Sequence, residues 1–145
     1  MIVVDANLLL YAYDSSAREH ARAKAWLEDV LSGIEQVGLA WVTILAFLRI
    51  ATNPRALASP LAPDDAVSIV ESWLAQPCVV LVSPGERHWS ILGPMLAREQ
   101  VRGPLVMDAH LAALALEQGA VLATQDRDFS RFVGLRTLMP LRGSP

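Results

Sequence analysis

The chain has 145 residues, 53% of them apolar and 19% charged, a composition that describes one globular domain over 1–145 and excludes a disordered chain, a coiled-coil rod and two full domains. Its one cysteine, Cys78, excludes an internal disulfide or a zinc knuckle built on thiolate pairs; set in the apolar run Cys78-Val79-Val80-Leu81-Val82, it is expected to be buried and inert, in a reducing compartment such as the cytoplasm. A formal charge of −3 gives no bulk attraction to a polyanion, although eleven of the twelve basic residues are Arg, whose planar fork suits phosphate.

In chain order, Ile2-Val3-Val4 reads as a short buried strand running into Asp5-Ala6-Asn7. Asp5 also interrupts what a secretory leader would keep apolar. Ser16-Ala17-Arg18-Glu19 has the form of a capping box, predicting a helix from there to about Ser32 with Gly33 as its stop. Residues 38–52 read as a short strand or turn followed by a helix, ended by Asn53-Pro54 because the residue before proline avoids helical geometry. The longest nearly charge-free stretch, Val37 to Leu48, has 12 residues, short of the roughly 18 that cross a bilayer, so no membrane segment is expected. Pro63 opens a helix reaching about Ala75, and Cys78 to Val82 is a buried strand. Ser83-Pro84 begins a helical stretch interrupted at Gly93-Pro94. Asp108 begins a strong helix through Gln118, with Gly119 just past its end. Ala120 to Thr124 is another apolar strand, and a last one falls near Leu135 to Leu138.

Short apolar strands alternating with amphipathic helices indicate an α/β chain with a mainly parallel sheet covered on both faces. Ligands of such sheets bind beyond the carboxyl ends of the strands, where strand order switches. That rule selects four acids: Asp5 after the first strand, Asp126 after the strand from Ala120, Asp128 two residues on, and Asp108 at the start of the preceding helix. Each has a structural alternative. Asp108 is a natural N-cap, Asp126 and Asp128 fit turn positions, and Asp5 fits a cap. Their joint convergence on one sheet edge is what those alternatives leave unexplained. Two carboxylates about 4 Å apart repel by roughly 1 kcal/mol in water and about 4 kcal/mol at an effective dielectric near 20, so such a cluster calls for a raised pKa, an Arg or a metal. Oxygen-only ligands suit Mg²⁺ or Mn²⁺, and the implied chemistry is attack of an activated water on a phosphodiester.

The remaining motifs are weaker. His20 and His110 fall on helices without Ser or Cys partners and are read as surface or packing residues. His88, in Arg87-His88-Trp89, has a base-stacking reading beside the commoner one of a core aromatic. No P-loop, dinucleotide glycine motif or nucleophile elbow is present.

Three segments, Val3-Val4-Asp5-Ala6-Asn7-Leu8-Leu9, Val106-Met107-Asp108-Ala109-His110-Leu111-Ala112-Ala113 and Leu122-Ala123-Thr124-Gln125-Asp126-Arg127-Asp128-Phe129, together resemble a PIN domain, and most closely the VapC-type toxins of type II toxin–antitoxin pairs. The likeness includes the helix from Trp41 to Arg55 and spans almost the whole chain. It implies a three-layer α/β/α sandwich and a Mg²⁺-dependent endoribonuclease, Mn²⁺ being a plausible substitute. It also implies a homodimer held inactive by a VapB-type antitoxin. By position, Asp5, Asp108 and Asp126 match the family's metal-binding acids and Asp128 a frequent auxiliary acid, while Asn7 and Thr124 match polar residues that orient the acids. Arg49, Arg55 and Arg102 are candidates for holding RNA phosphates.

One departure stands out. The family usually carries a Glu on its second major helix, and Phe47 occupies the matching position, with no acid between Glu35 and Asp64. This favours a single Mg²⁺ held by Asp5, Asp108 and waters, with Asp126 and Asp128 orienting the attacking water. It also leaves two other readings: a degenerate module that binds RNA or a protein without cutting, and a phosphatase of small nucleotides. The apolar Trp26, Leu27, Trp41, Leu45 and Trp73 add an expectation of assembly.

Overall fold

The computed structural model describes residues 1–142. Strands β1 (Ile2–Val4), β2 (Val37–Ala40), β3 (Val79–Val82), β4 (Val121–Ala123) and β5 (Arg136–Leu138) form one sheet in the order β3-β2-β1-β4-β5, with every pairing parallel. Successive strand residues face opposite sides of a sheet, and fully buried Val3 and Val4 accordingly belong to two different cores. A sheet apolar on both faces has to be covered on both. On one side, helices α1 (Ala6–Tyr13), α2 (His20–Leu31), α3 (Trp41–Ala51) and α4 (Pro63–Leu74) enclose a core with Val4, Leu39, Phe47 and Trp73. On the other, α5 (His88–Arg98) and α6 (Leu105–Glu117) enclose one with Val3, Val82 and Leu122. This is the expected three-layer α/β/α sandwich. No helix among the described residues is long and apolar enough to cross a membrane.

The chain winds outward from β1 through β2 to β3, then returns to lay β4 on the other flank of β1. Strand order therefore switches between β1 and β4, which opens a crevice beyond their carboxyl ends. The register pairs Val4 with Ala123, so the next residues, Asp5 and Thr124, emerge at the same level. Close approach fixes one glycine: a Cβ on Gly38 would lie 2.7 Å from Val82 Cγ2 and 3.1 Å from Val3 Cγ2.

Several local expectations are corrected. The capping box does not form, because Asp14 Oδ1 accepts both the Ser16 hydroxyl (2.6 Å) and the Ser16 N–H (3.0 Å). A charged acceptor close in sequence outcompetes helix amides for Ser16, and α2 begins only at His20, without a side-chain cap. The strand from Val79 is an edge strand and only partly buried, Leu81 being 46% exposed. Helix α5 starts at His88 rather than at Ser83, because the Glu117 carboxylate accepts the N–H groups of Gly85 (2.7 Å) and Arg87 (3.0 Å) and holds that loop off the helix. It then runs unbroken through Gly93-Pro94. Pro94 lacks only the N–H owed to the Ser90 carbonyl, and both residues are exposed, so water can take that carbonyl. Helix α6 begins a turn earlier than expected, which places Asp108 inside its first turn and not at its cap.

Candidate active site

Asp5 closes β1 and caps α1. Its Oδ1 accepts the Ala6 N–H at 2.7 Å, and its Oδ2 accepts the Thr124 hydroxyl at 2.7 Å. Thr124 is fully buried at the end of β4 and its oxygen is a hub. While donating to Asp5, it accepts from Asn7 Nδ2 (3.3 Å) and from the Asp126 N–H (3.0 Å). Asn7 Oδ1 accepts the Gln125 N–H at 3.5 Å. Asp126 caps a short 3₁₀ helix, Arg127–Arg131, by accepting the Asp128 N–H at 2.8 Å. One hydroxyl thus ties together the ends of two strands far apart in sequence. Asn7 and Thr124, expected to orient the acids, hydrogen-bond to each other, and Thr124 to Asp5.

Asp108 approaches from α6. Burial, reinforced by the negative charges of Asp5, Asp126 and Asp128 and opposed by Arg131, pushes its carboxyl up to about 6. Burial also raises Asp5 above the usual carboxylate range, countered by the hydrogen bonds from Thr124 and Ala6 and aided by Asp126. Asp108 thus lies in the field of the other three acids, and Asp5 in that of Asp126. A carboxyl raised in the folded state favours folding below its unfolded value near 3.8 and loses that contribution as pH rises through about 6. Asp108→Asn is therefore expected to stabilise the metal-free protein at pH 8 by about 1 kcal/mol, once screening at this half-exposed site is allowed for. The gain should vanish near pH 4. Urea denaturation of both proteins at the two pH values checks it.

Asp5 and Asp108 line a groove of about 920 Å³ between α3 and α6, together with Ala6, Val42, Thr43, Leu45, Ala46, Arg49, Pro104, Met107 and Leu111. Asp126 and Asp128 lie outside the lining and reach the site through Thr124 and through their field on Asp108. Of the three Arg candidates, Arg49 lines the groove; Arg55 and Arg102 are exposed and do not. Arg131, missed in the sequence, acts on Asp108 from the end of the 3₁₀ helix. Among the described residues no three His, Cys, Asp or Glu side chains are grouped to hold one metal ion. The donor set, carboxylate oxygens with room for water and phosphate, fits a hard cation that takes few protein ligands, which is how Mg²⁺ binds.

Phe47 faces away from this groove. It is fully buried, 4.7 Å from Trp73 and 5.7 Å from Tyr13 between ring centroids. The histidines are also settled. His88 Nε2 and His110 Nδ1 stand 2.9 Å apart with their rings edge-on, and burial followed by the His88 charge lowers the His110 pKa. His20 Nδ1 is 2.9 Å from the Tyr11 carbonyl, a packing role. Leu27 and Trp73 are buried, whereas Trp41 and Leu45 are more than half exposed.

The family model described as PIN domain matches residues 2–135. Ribonuclease VapC37 of Mycobacterium tuberculosis is 46% identical over 140 residues, covering 97% of this chain and 97% of that protein. Ribonuclease VapC33 of the same organism is 42% identical over 142 residues, covering 98% and 99%. Among solved structures, a toxin–antitoxin complex from Klebsiella pneumoniae has a chain that matches with a TM-score of 0.63 at 18% identity, over 97% of this chain and 98% of that one, a likeness of fold. With a full-length relative at this identity and strand-end acids at the switch point of the sheet, the chain belongs to the PIN-domain family.

Proposed function

We propose that this chain is the toxin of a type II toxin–antitoxin pair, an endoribonuclease that hydrolyses RNA phosphodiester bonds with Mg²⁺, or Mn²⁺ in its place, at the acid cluster. The observation that carries this reading is the pairing of Asp5 and Asp108 on one groove at the strand-order switch, in a chain whose relatives are named ribonucleases. A bound divalent cation supplies Lewis acidity toward a phosphate oxygen and lowers the pKa of a water. Asp5 and Asp108 hold it. Thr124, with Asn7 behind it, keeps the Asp5 carboxylate in one orientation. An acid of the cluster takes the proton of the attacking water, and Asp126 and Asp128, outside the groove lining, help orient that water through Thr124 and through their field on Asp108. Arg49 holds a phosphate of the RNA strand, and Arg55 and Arg102 contact it further out.

The same reading gives the protein a VapB-type antitoxin that places a basic side chain in the acid cluster, whose field Arg131 only partly offsets. A homodimer is supported by the exposed Trp41 and Leu45, one helical turn apart on α3. The compartment is the cytoplasm, where Cys78 stays reduced.

Because water and not the ribose 2′-hydroxyl attacks, the RNA products should carry 5′-phosphate and 3′-hydroxyl ends. Antitoxin-free protein incubated with total RNA and Mg²⁺ or Mn²⁺ should give fragments that ligate directly through their 5′-phosphates. Fragments ending in 2′,3′-cyclic phosphate would contradict this mechanism.

A further inference from the structure

The two walls of the groove differ in charge. The floor and the α6 wall hold Asp5 and Asp108, whereas α3 contributes Val42, Thr43, Leu45, Ala46 and Arg49 and has no acid along its length. Helix α3 also starts at the carboxyl end of β2 with Ala40 as its N-cap, which offers no side-chain acceptor, so the positive end of its dipole points to the crevice edge. Thr43 sits in this first turn, 2% exposed, and its hydroxyl has no hydrogen-bond partner. A buried hydroxyl left unpaired lowers stability, and Thr gains no apolar contact over Val at this site. Thr43 also lines the groove, so an occupant of the groove is a candidate partner for this hydroxyl, whose χ1 in a helix divides between two rotamers.

We propose that the α3 wall is the phosphate-binding side of the groove, with the Thr43 hydroxyl donating to a non-bridging oxygen of the RNA backbone opposite Asp5 and Asp108. The assignment rests on the ribonuclease reading and deepens it by naming the group that recognises the phosphate.

The test is equilibrium binding of a short random-sequence RNA in EDTA, where no cleavage occurs, by the parent, Thr43→Val, Thr43→Ser and Arg49→Gln. Thr43→Val keeps the shape and removes the unpaired hydroxyl, so its melting temperature should equal or exceed that of the parent. Its RNA affinity should fall about tenfold, the worth of one hydrogen bond to a charged group, and Thr43→Ser should restore it. Since a neutral donor displaces no counterion, the salt dependence of binding should be unchanged in Thr43→Val and shallower by about one in Arg49→Gln. Parent-like affinity in Thr43→Val, a loss not restored by Ser, or a loss accompanied by a lower melting temperature overturns the Thr43 assignment alone. A parent that neither binds RNA here nor cuts it with Mg²⁺ or Mn²⁺ overturns the ribonuclease reading and this inference with it.

Discussion

Asp108→Asn is expected to lower the rate of RNA cleavage by roughly 10²–10⁴-fold, the range found when a single charged group is removed from a preorganised site. The amide has nearly the same shape as the carboxyl. Asp108 makes no side-chain cap within α6, so the change breaks no hydrogen bond of the helix and the folded state should persist. The loss is purely one of charge on the groove wall, where Asp108 faces the same space as Asp5. Asp126→Asn should cost less. Its Oδ1 bond to the Asp128 N–H survives in an amide, and the residue stands outside the groove lining. Initial rates on one RNA substrate, with circular dichroism to confirm folding, check the order. Equal losses at positions 108 and 126 would show that the two acids do the same work.

The second large effect concerns stability. Phe47→Glu, the substitution that would restore the side chain common in the family, should lower stability by about 4 kcal/mol or more. It removes a ring from a three-ring contact with Tyr13 and Trp73, and it leaves an unpaired carboxylate in a fully buried position. That is a large share of the 5–15 kcal/mol typical of a whole domain, so much of the variant should be unfolded or aggregated at neutral pH. Phe47→Leu should cost about 1–2 kcal/mol and keep cleavage. Urea denaturation measures both. A folded Phe47→Glu protein with tighter Mn²⁺ binding would place residue 47 beside the acids and contradict the packing described here.

How much of this was legible in the sequence depends on the physical range of each interaction. Strands β1, β3 and β4 were legible because each is a short apolar run followed by a turn residue or an acid, and the rule for parallel sheets then led from β1 and β4 to Asp5, Asp126 and Asp128. The pattern of acids also carried the family. Helix α1 went unassigned: its run Ala6 to Tyr13 is apolar almost throughout and lacks the polar face that marks a surface helix. The capping box failed because Ser16 had a nearer and better acceptor in Asp14. The proline in α5 was read as a break, when its single missing hydrogen bond lies on an exposed face. The influence of Arg131 on Asp108 and the contact of His88 with His110 join residues that only the tertiary fold brings together. Thr43 was hidden by its surroundings, since a lone hydroxyl in Trp-Val-Thr-Ile-Leu looks like filler until it is found buried and unpaired. What local sequence carried was the backbone and the acids. What it did not carry was which wall each side chain faces.

The central claim is that the strand-end carboxylates form a working nuclease site without a Glu at position 47. Its most direct test is cleavage of total RNA by the purified, antitoxin-free protein with Mg²⁺ or Mn²⁺, beside an EDTA control and Asp5→Asn. Asp5→Asn keeps an acceptor for Thr124 and Ala6 but removes the charge. Discrete RNA products present only in the untreated parent are the predicted result. RNA binding without cleavage by the parent in either metal would contradict it and make the chain a binding module on a PIN-domain fold.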